Sequence, residues 1–364
     1  MSLDAECLRA LELAAHWFVE SGIQEPSGGV ARYYQCEPAR NYRISTEITG
    51  YAASTLVWLY RLSGDERLRE AGLRAGHFLI SRAWDASSGL FPFECALDGD
   101  CAEPLAYFFD NAIVVRGLLA LWKLTGEPQF LSAAQRVGAA MAREFRSEVG
   151  FHPALRLPER LPAPSDGRWS RSPGCYHLKA ALAWLELDQA FAGGAFRQYY
   201  RRALEFALAT HREFLGERPE PAVMDRLHAY CYFLEGLLAA LDQPECRQAA
   251  KEGIVRAYGM LEAVAPQFER CDVRAQLLRV RVFLDAQGIV PLHPEEAERQ
   301  AARILEFQAL EPDPRYYGGF RFGRRGSEWL PFINPYSTAF AAQALEMWRA
   351  HRAGRFQSVW QDLI

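Results

Sequence analysis

Two stretches of this chain repeat one pattern, and that repeat constrains the fold more than any other feature. TGYAASTLVWLYRLSGDERLREAGLRAGHFL begins at Thr49, and DNAIVVRGLLALWKLTGEPQFLSAAQRVGAAM begins at Asp110. Each is an apolar helix, a glycine break and a second helix; the breaks fall at Gly64 and Gly126, 62 residues apart. Weaker copies start at Cys175, His228, Val273 and Pro335, giving six apolar helices. Partner helices are expected over residues 196–214, 245–264 and 294–307, and the opening helix partners the last. Self-similarity on this scale, with two helices per unit, marks a helical-hairpin repeat.

The two helices of a hairpin differ in character. After Asp110, residues Ile113, Val114, Val115, Leu118, Leu119, Leu121 and Trp122 surround nearly the whole helix. A helix apolar all round is buried on all sides. After Asp65, by contrast, Leu68, Ala71, Ala75, Phe78 and Leu79 form one stripe, with Arg67, Arg69, Glu70, Arg74 and His77 opposite. That is an outer helix facing water. Alternation of the two kinds predicts an inner ring wrapped by an outer ring, an all-α (α/α)6 toroid formed by residues 1–364 as one domain. A solenoid of stacked hairpins is the competing arrangement, but it seldom makes one helix set apolar all round.

Connections alternate too. Inner helices pass to outer ones through short glycine turns. The returns are long, at residues 23–45, 85–106, 147–174 and 311–334, and so emerge at the inner-helix N-termini. Long ordered loops in compact domains tend to be functional. These carry Tyr33, Tyr34, Trp84, Phe91, Phe93, Tyr107, Trp169, Tyr316, Tyr317, Phe320, Phe322 and Trp329, a content that disfavours disorder.

Composition excludes several classes. With 41 basic against 45 acidic residues, the net charge of −4 argues against general nucleic-acid binding. No stretch approaches a membrane span, and the first eighteen residues read as an amphipathic helix, not a signal peptide. The expected location is the cytoplasm, where the eight cysteines stay as thiols. Cys95 and Cys101 bracket a short loop and are read as two such thiols, with pairing in an oxidising setting as the alternative.

The phrases EITGYAASTLVWLYRLSGDERL and DNAIVVRGLLALWKLTGEPQFL resemble the inner–outer hairpins of six-hairpin glycosidase-like toroids. That group includes unsaturated glucuronyl hydrolases, N-acylglucosamine 2-epimerases and the C-terminal domain of glucuronyl C5-epimerases. The closing stretch GGFRFGRRGSEWLPFINPYSTAFAAQALEMW is similar to the last inner helix of related polysaccharide-cluster proteins. The resemblance spans nearly the whole chain and implies architecture; the reaction stays open. Other toroids are separated by motif, since a DxDD initiator, Gln-Trp repeats, CxxC and HExxH are all missing from the sequence. Cys175 with His177, and His228 with Cys231, read as apolar cysteines beside rim histidines. No metal and no cofactor is expected.

The first turns of the inner helices supply the candidate chemistry. They offer Glu47, Asp110, Asn111, Tyr176, His177, Asp225, Arg226, His228, Arg274, Gln276, Asn334, Tyr336, Ser337 and Thr338 above helices that read as almost wholly apolar. Asp110, Glu47, His177, His228 and Tyr336 are the acid–base candidates. Capping of backbone N–H groups is the bland alternative for the two carboxylates. Asn111, Tyr176, Asp225, Arg226, Arg274 and Asn334, with loop residues Arg43, Arg321, Tyr34, Trp169 and Trp329, are the candidate ligand-binding set. Aromatic faces suit sugar rings, and Arg32, Arg40, Arg43, Arg315, Arg321, Arg324 and Arg325 suit a carboxylate. The expected function is therefore binding of an acidic, uronate-containing oligo- or polysaccharide, with lyase, epimerase or hydrolase chemistry. The alternative is a non-catalytic glycan- or protein-binding subunit of a polysaccharide pathway.

Overall fold

The protein is described by a computed structural model covering residues 2–101, 104–191 and 193–364. Its contacts divide it into two compact units.

The first unit comprises Gly22–Arg32 and Asn41–His211. It holds α2 (Thr46–Ser63), α3 (Glu66–Phe78), α4 (Phe108–Thr125), α5 (Pro128–Glu144), α6 (His177–Phe191) and most of α7 (Arg197–Phe214). Gly64 and Gly126 end α2 and α4 in the left-handed region, with φ of 71° and 73°. Their N–H groups donate to Tyr60 and Trp122 carbonyls at 2.8 Å, the glycine stop that the repeat implies. In α4 every residue from Phe108 to Leu119 is buried, whereas α3 buries one face.

The second unit, Met1–Ser21, Tyr33–Arg40 and Arg212–Ile364, carries α1 (Leu3–Glu20), α8 (Val223–Leu237), α9 (Pro244–Val264), α10 (Cys271–Ala286), α11 (Pro294–Leu305) and α12 (Pro335–Arg352). Here α10 packs between α8 and α12, and α1 packs on α12. The opening helix thus partners the last.

The inner helices are less apolar than the sequence suggests. Arg116 of α4 meets Glu186 of α6 at 2.7 Å, and Lys123 reaches the same carboxylate at 2.9 Å. In the second unit Arg279 of α10 pairs with Glu235 of α8 and donates to Gln343 Oε1 of α12 at 2.8 Å. These charges neutralise one another across neighbouring inner helices, as buried ions must.

Short antiparallel strands stitch the long returns together. Ile44–Ser45 pairs with Glu94–Cys95, and Leu105–Tyr107 pairs with Ala154–Arg156. Several loop aromatics, including Tyr34, Phe91 and Phe320, are packed beneath the loops. Cys95 and Cys101 form a disulfide, which corrects the reading of two free thiols. The turn between them explains it: Ala96 N–H donates to the Asp100 carbonyl at 2.7 Å and returns the chain beside Cys95. The cytoplasmic expectation loses the support it drew from free thiols, because disulfides persist in oxidising compartments. Among the described residues no helix is long and apolar enough to cross a membrane.

Candidate functional site

The first unit gathers two carboxyls at the starts of adjacent helices. The strand Ile44–Ser45 feeds α2, where Ser45 Oγ caps the helix by accepting from Ile48 N–H at 3.2 Å. Glu47 is therefore not the cap. Leu105–Tyr107 feeds α4, whose N-cap, Tyr107, makes no side-chain cap bond. Asp110 lies in the first turn, 6% exposed, and its Oδ2 has no hydrogen-bond partner. Glycines let the two helices meet: a Cβ at Gly50 would stand 2.9 Å from the Cα of Val114, and one at Gly117 would stand 3.1 Å from the carbonyl carbon of Gly50. Backbones in such contact bring the first turns of α2 and α4 together.

The environment raises both acids. Burial, and then the Glu47 charge, hold the Asp110 carboxyl well above the usual carboxylate range; Arg32 opposes this and Glu94 reinforces it. Burial pushes Glu47 up to about 7, against the lowering pull of Arg32 and Lys179. Arg32 and Arg43 both bind the buried Glu94, at 2.8 and 3.2 Å, while their own side chains are 42% and 39% exposed. Lys179 is fully buried on α6 and stands 5.4 Å over the ring of Tyr51, one turn beyond Glu47. The set favours a proton on Asp110 while Glu47 exchanges one near neutrality, and it offers cations to an anionic group.

His177, at the start of α6, sits in a different environment. It is 2% exposed, neither ring nitrogen has a hydrogen-bond partner, and its ring packs against Tyr176 at 4.4 Å and Phe108 at 4.9 Å. Burial lowers its pKa to about 3, so the imidazole is held neutral. Asn111 is bonded to the backbone on both sides of it. Wholly buried, it accepts from Phe91 N–H at 2.7 Å and donates to the Phe91 and Tyr107 carbonyls at 3.1 and 2.8 Å. Tyr176 donates to the Ser172 carbonyl at 3.0 Å under Trp169, whose ring is 5.0 Å away and only half-buried.

The second unit holds a separate polar cluster. His228 of α8 places Nδ1 2.9 Å from Asp272 Oδ2 and 2.8 Å from Gln276 Oε1 of α10. Arg270 binds Asp272, reaches Asp225 at 2.6 Å and lies 4.5 Å over Phe322. Burial would raise the Asp272 carboxyl, but Arg270 and His228 together hold it well below the usual range. Tyr336 is half-buried, 5.8 Å from the His228 ring. Arg226 points to solvent.

Other candidates of the second unit are engaged elsewhere. Arg274 binds Glu269 and, at 2.9 Å, Glu262, and is 6% exposed. Asn334 caps α12 by accepting from Ser337 N–H at 2.8 Å. Tyr34 is buried against Tyr316. Arg321 pairs with Glu311 and, with Arg324, flanks the exposed Trp329 at 5.7 and 5.4 Å. Among the described residues no three or more His, Cys, Asp or Glu side chains are grouped to hold a metal ion.

Sequence reasoning missed Glu94, Lys179, Arg270 and Asp272. A signal for Asp272 exists, since Glu47, Asp110 and Asp272 all occupy first turns of inner helices. Starting α10 at Val273 hid it. Glu94 carries no such mark, because only the strand pairing brings it back to Arg32 and Arg43.

No protein-family model and no curated protein sequence matches the chain. Solved structures do. A sugar epimerase from a ruminal bacterium aligns with a TM-score of 0.72 at 12% identity, over 97% of this chain and 99% of that one. Cellobiose 2-epimerase from Spirochaeta thermophila aligns with a TM-score of 0.73 at 15% identity, over 96% and 98%. An unsaturated glucuronyl hydrolase from Streptococcus agalactiae gives 0.59 at 10% identity, over 95% and 92%. Likeness at these identities is likeness of fold: the chain shares with these proteins the (α/α)6 toroid fold that the repeat implies.

Proposed function

We propose that this protein is a carbohydrate-active enzyme that cleaves or hydrates an acidic saccharide, with Asp110 as proton donor and Glu47 as its partner. The observation that carries the reading is the Asp110 carboxyl, raised by burial and then by the Glu47 charge, with Oδ2 unpartnered. A buried carboxyl raised in this way can protonate a leaving oxygen, and the second carboxyl beside it can direct water or stabilise developing positive charge. The names of the fold relatives, a sugar epimerase and an unsaturated glucuronyl hydrolase among them, support a saccharide substrate. The anionic preference rests on Arg32 and Arg43, two partly exposed guanidinium groups sharing one carboxylate.

The test is turnover of a uronate-terminated disaccharide beside its neutral counterpart, with wild type, Asp110→Asn and Arg43→Ala. Turnover of the uronate by wild type alone supports the proposal. Binding of the uronate without turnover would instead support a non-catalytic glycan-binding subunit.

A second reading rests on His228. With Nδ1 held by Asp272 and Gln276, the imidazole is oriented to move a proton at carbon, as epimerisation requires. Solvent deuterium entering the sugar, and lost in His228→Asn, would carry that reading.

A further inference from the structure

The second unit contains a cavity of about 560 Å³ at the C-terminal ends of α8 and α10. Its floor is Leu238, Leu241 and Phe283, and one wall carries Trp360 and Ser358. It is remote from the His228 cluster, because the ten residues from His228 to Leu238 advance about 15 Å along a helix. Nothing in the proposed chemistry uses it.

Its polar lining is unusual in sign. Arg247 and Lys251, both exposed, stand four apart on α9, so two like charges share one helix face and repel each other. Among the described residues neither has a carboxylate partner. Arg247 is aimed, with Nε and Nη2 donating to the Leu241 carbonyl at 3.2 and 3.0 Å. Asp242 adds one carboxylate to the same lining, and Gln287 donates to Ser358 Oγ to tie the tail segment to α10. Two cations over an apolar floor, with an indole and a hydrogen-bond acceptor beside them, match a particular chemistry: an anion attached to a ring that has both an apolar face and hydroxyl groups.

We propose that this cavity is a second ligand site, taking an anionic sugar whose carboxylate or phosphate lies between Arg247 and Lys251. The sugar ring meets Trp360, and a hydroxyl donates to Asp242. The inference stands apart from the reading of Asp110, since no residue is shared.

Isothermal titration of the full chain with glucuronic acid, glucose 6-phosphate, glucose and inorganic phosphate tests it. At least one anionic sugar is expected to bind wild type and Asp110→Asn equally. It should bind Lys251→Glu and Trp360→Ala about tenfold more weakly, the effect of losing one charge-assisted or stacking contact. The stronger of the two anionic sugars identifies the anion. Equal binding of glucose or of inorganic phosphate, binding unchanged in both variants, binding lost in Asp110→Asn, or no binding at all would overturn the proposal. Trp360→Phe keeps an aromatic face and should restore most of the affinity lost in Trp360→Ala.

Discussion

Gly50 of α2 and Gly117 of α4 meet backbone to backbone, with no room for a side chain on either. This contact sets the approach of the two helices whose first turns carry Glu47 and Asp110. Gly50→Ala places a methyl 2.9 Å from the Val114 backbone, which cannot yield as a side chain would. The expected cost is about 1–3 kcal/mol in denaturant unfolding. Turnover should fall further than stability alone explains, because the carboxyls are drawn apart. Unchanged turnover in a folded Gly50→Ala protein would dissociate the helix contact from the chemistry.

Asp110→Asn keeps shape but cannot deliver a proton. Turnover of a uronate disaccharide is expected to drop by about 10²–10⁴-fold, with circular dichroism unchanged. Retention of full activity would eliminate Asp110 as the acid.

Both carboxyls titrate higher in the folded protein than in the unfolded chain, so the folded state holds more protons across the interval between. Stability from this pair is complete below the unfolded values of about 4, and it is lost as pH rises through about 7 for Glu47 and through the raised value of Asp110. Midpoint temperatures should therefore decline from pH 5 to pH 8 more steeply in wild type than in the Glu47→Gln, Asp110→Asn double variant. Lys179→Met removes a charge that lowers Glu47, so the acid limb of activity should move to higher pH.

Arg279 and Glu235 are almost completely buried, at 0% and 1% exposure. Glu235→Gln leaves a guanidinium uncompensated among α8, α10 and α12, and is expected to cost about 3–5 kcal/mol. Urea melts of wild type and variant measure the difference.

Reduction of Cys95–Cys101 opens a loop of sequence separation 6, for which chain entropy gives about 2 kcal/mol. Cys101→Ser should lower the melting temperature of the oxidised protein and abolish its response to reductant.

Much of the fold was legible because it depends on local pattern. Gly64 and Gly126 end helices as their positions foretell, and the all-round apolar surface of α4 matches its burial. The candidate site was half legible. First-turn acids announce themselves by position, but the partners that tune them do not. Arg32 and Glu94 are 62 residues apart and meet because two strands pair. In sequence Asn111 looks like a rim ligand and His177 like a rim acid–base group, since nothing local reveals that one clasps the Phe91 backbone and the other sits among rings.

The clasp of Asn111 on Phe91 has a kinetic consequence. With Phe91–Cys95 tied to α4 by that amide, to α2 through Thr46 Oγ1 donating to the Pro92 carbonyl at 2.7 Å, and to Ile44–Ser45 by strand pairing, the described part of the wall beside Asp110 is held in place by backbone bonds. A ligand arriving there spends none of its binding energy on ordering backbone. Its association should run at a rate set by encounter and charge, without a slow closing step, and its specificity can be rewritten side chain by side chain while the wall itself stays in place.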